Sequence, residues 1–174
     1  MKNKLNKFEF EKYENVAKKK LIDLKQNNLG FENIPLYLMK PYLDYGKTLI
    51  KKQKSNGKIL EIGSGTGNFT NHIFKTKMYL IASDISPASL KYLKEKYKNK
   101  YKFQTKIANM EALPFKDNYF DIVCGVGFLS YGNNNKTKKE IYRVLKKDGY
   151  FICVDSLNNN FIYSLNRILN YIKK

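Results

Sequence analysis

The residues with the most chemical content form one run, Ile59-Leu60-Glu61-Ile62-Gly63-Ser64-Gly65-Thr66-Gly67-Asn68-Phe69, in which an apolar strand enters a glycine-rich turn. Glycine at alternate places lets the turn tighten and lets backbone N–H groups approach a ligand, and a helix starting behind it would add partial positive charge. Three ligand classes compete for such a turn. A phosphate-cradling loop needs Gly-Lys-Ser/Thr, and no lysine stands between Glu61 and Phe74, which excludes it. A dinucleotide loop reads G-x-G-x-x-G, but here the third glycine comes one place early, at Gly67, with Asn68 where that pattern wants glycine. Glu61, just ahead of the turn, is a poor neighbour for a pyrophosphate. It is a good one for a ligand carrying an ammonium and a sulfonium, through direct or water-mediated contact. Asp84, 21 residues beyond Gly63 at the end of the next apolar run, can accept both hydroxyls of a ribose. Together these features point to an adenosine-bearing ligand.

Such a turn needs a sheet to hold it. Apolar runs predict strands at Lys58–Ile62, Met78–Asp84, Tyr101–Ile107, Phe120–Val126 and Tyr150–Asp155. Helices are expected between them. One starts at Pro87 behind a Ser86 cap, and one runs from Lys136 to Lys147 with Asp148-Gly149 as its stop. Strands alternating with helices imply right-handed βαβ units. The fold class is α/β, a Rossmann-like, doubly wound, mostly parallel sheet in a three-layer α/β/α sandwich. Ahead of it, Phe10, Tyr13, Val16, Ala17, Leu21 and Leu24 predict a helix ended by Gly30 and Pro35, and a second helix is expected after Pro41. Residues 1–56 therefore read as a helical cap or substrate region and 57–174 as the ligand-binding core. The final stretch, with Phe161, Ile162, Leu165, Ile168, Leu169 and Ile172 on one stripe, reads as an amphipathic helix covering the sheet; binding to a membrane surface is its sharper alternative.

Glu61 to Gly67 resembles motif I of class I S-adenosylmethionine (SAM) dependent methyltransferases, of the type 11-like kind, and Asp84 matches their ribose-binding acid. Ala108-Asn109-Met110-Glu111-Ala112-Leu113-Pro114-Phe115 is similar to the family's G-D-A-E-x-L-P-F run, and Tyr119 to Val123 to its fourth strand. Glu140 to Tyr150 resembles its R-V-L-K-P-G-G turn. The likeness implies SAM as cofactor, held by Glu61, Gly63, Ser64, Gly65, Thr66, Gly67, Asp84 and Ile85, with Asn109 and Met110 flanking the adenine. Asn109 replaces the usual Asp and accepts without charge. By the same likeness Val126 and Gly127 line the methyl end. Segments at 34–42, 129–132 and 154–158 resemble methyltransferases encoded with surface-polysaccharide genes, which makes a hydroxyl of a small molecule or glycan precursor the expected acceptor. The family's sheet continues past its fifth strand with an antiparallel pair, for which this sequence has no counterpart. An uncovered fifth strand would be an edge open to a homodimer partner.

Methyl transfer rests mainly on in-line positioning, so its catalytic side chain need not leave a signature. A hydroxyl acceptor still benefits from a base, and Asp155, ending the fifth strand, is the candidate, with capping of a turn as its alternative role. Tyr131 is a candidate pocket wall. His72, the sole histidine, lies too far down the following helix and reads as a surface or packing residue.

Composition narrows the partners. The 174 residues carry a formal charge of +18, which would suggest nucleic acid. Nearly all of it is lysine, with arginine only at 143 and 167, whereas base and phosphate recognition favours the guanidinium fork. Joint enrichment in Lys, Asn, Ile and Tyr matches an AT-rich coding bias. An RNA methyltransferase therefore stands as the lesser alternative, beside a non-catalytic SAM-binding module. Cys124 and Cys153 sit in apolar runs and read as core residues, no metal-ligand spacing occurs, and no stretch reaches 18 apolar residues, so a cytoplasmic protein is expected.

Overall fold

The computed structural model describes residue 7, residues 10–12 and 14–20, and residues 36–155. Five strands, β1 (Lys58–Ile62), β2 (Tyr79–Asp84), β3 (Phe103–Ile107), β4 (Phe120–Val126) and β5 (Leu145–Val154), form one sheet in the order β3-β2-β1-β4-β5. Every neighbouring pair is parallel, as the alternation of strand and helix requires. The chain winds outward from β1 to β3 and then returns to β4 on the other side of β1. That reversal opens a crevice between the loops that follow β1 and β4.

Among the described residues, α1 (Leu36–Lys52), α2 (Thr70–Ile73), α3 (Pro87–Lys96) and α4 (Asn134–Val144) cover the two faces. Side chains alternate across a strand, so β1 feeds two cores. Ile59 packs with Tyr45 and Leu49 of α1 and Leu93 of α3, while Leu60 and Ile62 pack with Phe120, Val123 and, from α4, Ile141 and Val144. Burial of both faces explains why β1 and β4 read as almost unbroken apolar runs.

Ser86 caps α3 by accepting the Ser89 N–H, with Pro87 at the first helical position. Asn133 caps α4, accepting from Asn135 and Lys136, so that helix begins two residues earlier than its apolar stripe suggests. It also ends earlier. Leu145 pairs with Phe120 on β4, and Lys146 reaches Asp121 at 2.9 Å, so residues 145–147 join β5 instead of extending the helix to Lys147. Helix α1 runs through Pro41 instead of starting after it; proline there forfeits one backbone hydrogen bond, and the residue is exposed. Met78 and Tyr101–Lys102 fall outside the strands expected to contain them.

Among residues 14–20, all helical, Ala17 is fully buried. The expected helix over 161–172 and the open or covered state of the β5 edge depend on residues 156–174, which lie outside the described ones. Among the described residues, no helix is long and apolar enough to cross a membrane.

Candidate cofactor and acceptor site

The site is built where β1 and β2 end side by side. Their register pairs Ile62 with Ser83, which places Asp84 next to the turn that begins at Gly63. Gly65 sits at φ +50, and a Cβ added there would meet nothing within 4 Å, so its backbone borders open space. Its N–H donates to Asp84 Oδ2 at 2.8 Å, and the Ser86 N–H donates to Asp84 Oδ1 at 2.9 Å. The acid is thus fixed by backbone from both loops. Burial pushes its carboxyl up, against the lowering effect of the Ser86 and Gly65 bonds. Gly67, at φ +79, is needed for another reason: a Cβ there would come within 2.3 Å of Leu93 Cδ1, so it serves the packing of the turn on α3.

Glu61 is 3% exposed and accepts the Thr70 hydroxyl at 2.7 Å. Burial pushes its carboxyl up to about 8, and the Asp84 charge adds to this. The group expected to face a cation ties the end of β1 to the start of α2 through Oε2. The helix behind the turn is also shorter than expected. Four residues, Thr70–Ile73, align few peptide dipoles, so the cradle rests on the turn's own N–H groups. Ser64 Oγ is buried with no hydrogen-bond partner among the described residues, while Ile85 is 55% exposed beside Asp84. An unpartnered hydroxyl, an open glycine and a fixed carboxylate fit a ligand with several polar groups, such as an aminoacyl nucleoside.

A second loop, the one expected to flank the adenine, follows β3. Asn109 Oδ1 accepts the Glu111 N–H at 2.9 Å, and Asn109 bridges Ala112, so the asparagine shapes its own turn while its amide nitrogen stays uncommitted to that bond. Met110 is half-buried under Gly132, where an added Cβ would lie 2.3 Å from its Cε. Two acids that the sequence reading left without roles anchor this loop. Glu111 Oε1 accepts the Asn133 N–H at 2.6 Å, and Glu140 Oε2 accepts the Leu113 N–H at 2.7 Å. Arg143 completes the anchor, donating to Phe115 O, Leu113 O, Asp117 and Glu140 at 2.7 to 2.9 Å. The bond to Arg143 is the main reason the Glu140 carboxyl lies below the usual range. The Glu-x-x-Arg spacing was visible in the sequence, but a local pair on one helix does not reveal a loop thirty residues away.

Across the crevice, Val126 is half-buried, and Gly127, at φ +70, faces open space while its N–H holds Val154 O at 2.9 Å. The 3₁₀ turn Leu129–Tyr131 follows. Asp155 Oδ2 accepts the Leu129 N–H at 2.8 Å and Oδ1 accepts from Ser130 Oγ at 3.3 Å. Both oxygens of the candidate base are therefore engaged in holding that turn. Tyr131 is half-buried within it. His72 packs on α1, where a Cβ on Gly46 would lie 2.6 Å from its Nδ1. Thr66 is half-buried in the turn and takes a contact from Lys20.

Residues 60–153 match the profile of a family described as a methyltransferase domain. The chain is 37% identical over 110 residues to the ubiquinone/menaquinone biosynthesis C-methyltransferase UbiE of Rickettsia typhi, which covers 58% of this chain and 44% of that protein. The corresponding protein of Wigglesworthia glossinidia brevipalpis is 28% identical over 170 residues, covering 89% of this chain and 67% of its own length. The chain thus spans less than half of the Rickettsia relative. Among solved structures, phosphoethanolamine N-methyltransferase 2 of Haemonchus contortus in complex with SAM superposes with a TM-score of 0.62 at 20% identity, over 74% of this chain and 32% of that one. The YcgJ protein of Bacillus subtilis gives 0.62 at 22%, over 76% and 58%. Likeness at that identity establishes the shared fold.

Proposed function

The chain belongs to the class I methyltransferase domain family, whose methyl donor is SAM, and from that premise we propose that it transfers a methyl group from SAM to a small-molecule acceptor. The observation that carries this reading is the Gly65–Asp84 unit, a backbone donor with open space beside it locked to a carboxylate at the carboxyl edge of the sheet. Bound there, SAM supplies a methyl group on a sulfonium whose departure leaves a neutral thioether. The chain's own residues orient it. Asp84 has lone pairs left for the ribose hydroxyls, Ser64 Oγ offers an uncommitted hydroxyl, Ile85 offers an apolar edge, and Asn109 and Met110 bound the adenine end.

Positioning supplies about 7–11 kcal/mol of such a barrier, against about 3–6 kcal/mol from a general base. A weakly marked base is therefore no obstacle. We assign Asp155 to holding the 129–131 turn on the acceptor side; a base role requires that the acceptor replace Ser130 on Oδ1. The acceptor we propose is a hydroxyl of a small molecule or glycan precursor. A carbon acceptor is the second reading, favoured by the C-methyltransferase name of a relative 37% identical over the matched segment. Incubation with methyl-labelled SAM and two acceptor panels, sugar nucleotides and hydroxylated quinols, decides between them. Label on oxygen supports the first reading, label on carbon the second, and no transfer to either panel counts against both.

A further inference from the structure

A docked helical segment lies outside the core. In residues 14–20, Glu14, Ala17 and Lys20 recur at a spacing of three and share one helical face. Ala17 is fully buried while Asn15, Val16, Lys18 and Lys19 around it are exposed, so this face is docked against the domain. The docking points are specific. Glu14 accepts a hydrogen bond from Ser86 Oγ, and Lys20 Nζ donates to Thr66 Oγ1 at 3.4 Å. Thr66 belongs to the glycine turn, and Ser86 lies two residues beyond Asp84. The two contacts therefore flank the Gly65–Asp84 unit on either side, and the Glu14 charge is felt at the Asp84 carboxyl.

We propose that the helical segment 14–20 is a strap across the cofactor cradle, clasped by Glu14 on Ser86 and by Lys20 on Thr66, and that it sets how long the cofactor stays. The proposal rests on the reading of that cradle as the SAM site. Ser86 is suited to its part because its hydroxyl has two uses at once. It donates to Glu14 and accepts the Ser89 N–H at the start of α3, so closing the strap does not cost the helix its cap. Two partly buried polar contacts at opposite ends of one buried alanine make a closure that opens as a unit. Neither contact is strong enough to lock it, which suits a cofactor that must be exchanged after every turnover. Glu14 and Lys20 act on the cofactor through this closure and are positioning residues.

The test uses the full chain. Radiolabelled SAM bound to the protein is chased with excess unlabelled SAM, and the dissociation rate of wild type is compared with that of the double variant E14A/K20A and of Glu14→Gln. The double variant should release label about tenfold faster, while glutamine, which can still accept from Ser86, should stay close to wild type. Amide hydrogen exchange provides a second readout. Protection of residues 14–20 should rise when S-adenosylhomocysteine is added to wild type. An unchanged release rate in a folded double variant, or unchanged protection of 14–20 with the ligand bound, overturns the strap. No retained label even on wild type overturns the cofactor reading itself, and the strap with it.

Discussion

Asp84 and Gly65 are the residues on which ligand affinity should turn most sharply. Replacing Asp84 by Ala leaves the Gly65 and Ser86 N–H groups without their acceptor and removes the acceptor for a ribose. SAM affinity measured by calorimetry should fall by about 1–3 kcal/mol for each unsatisfied group. Gly65→Val places a branched side chain at φ +50, into the open space beside the turn, and should lower affinity at least tenfold, at a folding cost of about 1–2 kcal/mol. Glu61 gives a prediction of opposite sign. It holds its proton more tightly in the folded chain than in the unfolded one, so its contribution to stability is full below the ordinary carboxylate value and is lost as pH rises through about 8. Glutamine keeps an acceptor for Thr70 without a charge to bury. In urea unfolding, Glu61→Gln should therefore be more stable than wild type at pH 9, by about 1–3 kcal/mol, and nearly equal to it at pH 5. A Glu61→Gln chain less stable than wild type at pH 9 would remove the buried neutral carboxyl from the account.

Between elements, the loop at 109–117 depends on α4. Arg143 satisfies two carbonyls and two carboxylates in one planar fork, which lysine cannot copy. Arg143→Ala and Arg143→Lys should both loosen the adenine end, raising the dissociation constant for SAM several-fold and costing about 1–3 kcal/mol in urea unfolding. A lysine variant that matches wild type in both measurements contradicts this role. This network also marks where the sequence stops being legible. Strands β1 and β4, buried on both faces, were readable to the residue, because burial writes itself as an almost unbroken apolar run, interrupted after Lys58 only by Glu61 in β1 and by Asp121 in β4. Residues 145–147 were not, since Leu-Lys-Lys favours a helix locally and only the pairing with Phe120 and Asp121 draws it into β5. In the site, Gly65 and Asp84 announced themselves by spacing. Glu14, Lys20, Glu111 and Arg143 did not, because each acts on backbone or side chains distant in sequence.

For the whole molecule, charge and the lower edge of the sheet set the conditions under which the site exists. At that edge Asp121, 5% exposed, accepts the Lys58 N–H at 2.9 Å and the Lys146 ammonium at 2.9 Å, joining β1, β4 and β5. Burial alone would raise its carboxyl, but these partners together bring it below the ordinary value. Its stabilising contribution is therefore present above the ordinary carboxylate range and is lost as pH falls through the lowered value. Asp121→Asn should cost about 1–3 kcal/mol at pH 7, with the difference from wild type narrowing as pH falls below the ordinary carboxylate range. A net charge of +18 repels itself, so added salt should raise the melting temperature. Activity on a small acceptor should change little with salt, whereas an RNA substrate would give a steep loss. The central claim, that the crevice at the carboxyl ends of β1, β2 and β4 holds a methyl-donating nucleoside, is tested most directly by titrating the folded full chain with SAM and with S-adenosylhomocysteine in a calorimeter. The account predicts saturable heat with both ligands, weakened in Asp84→Ala; folded wild-type protein that gives no heat with either ligand contradicts it.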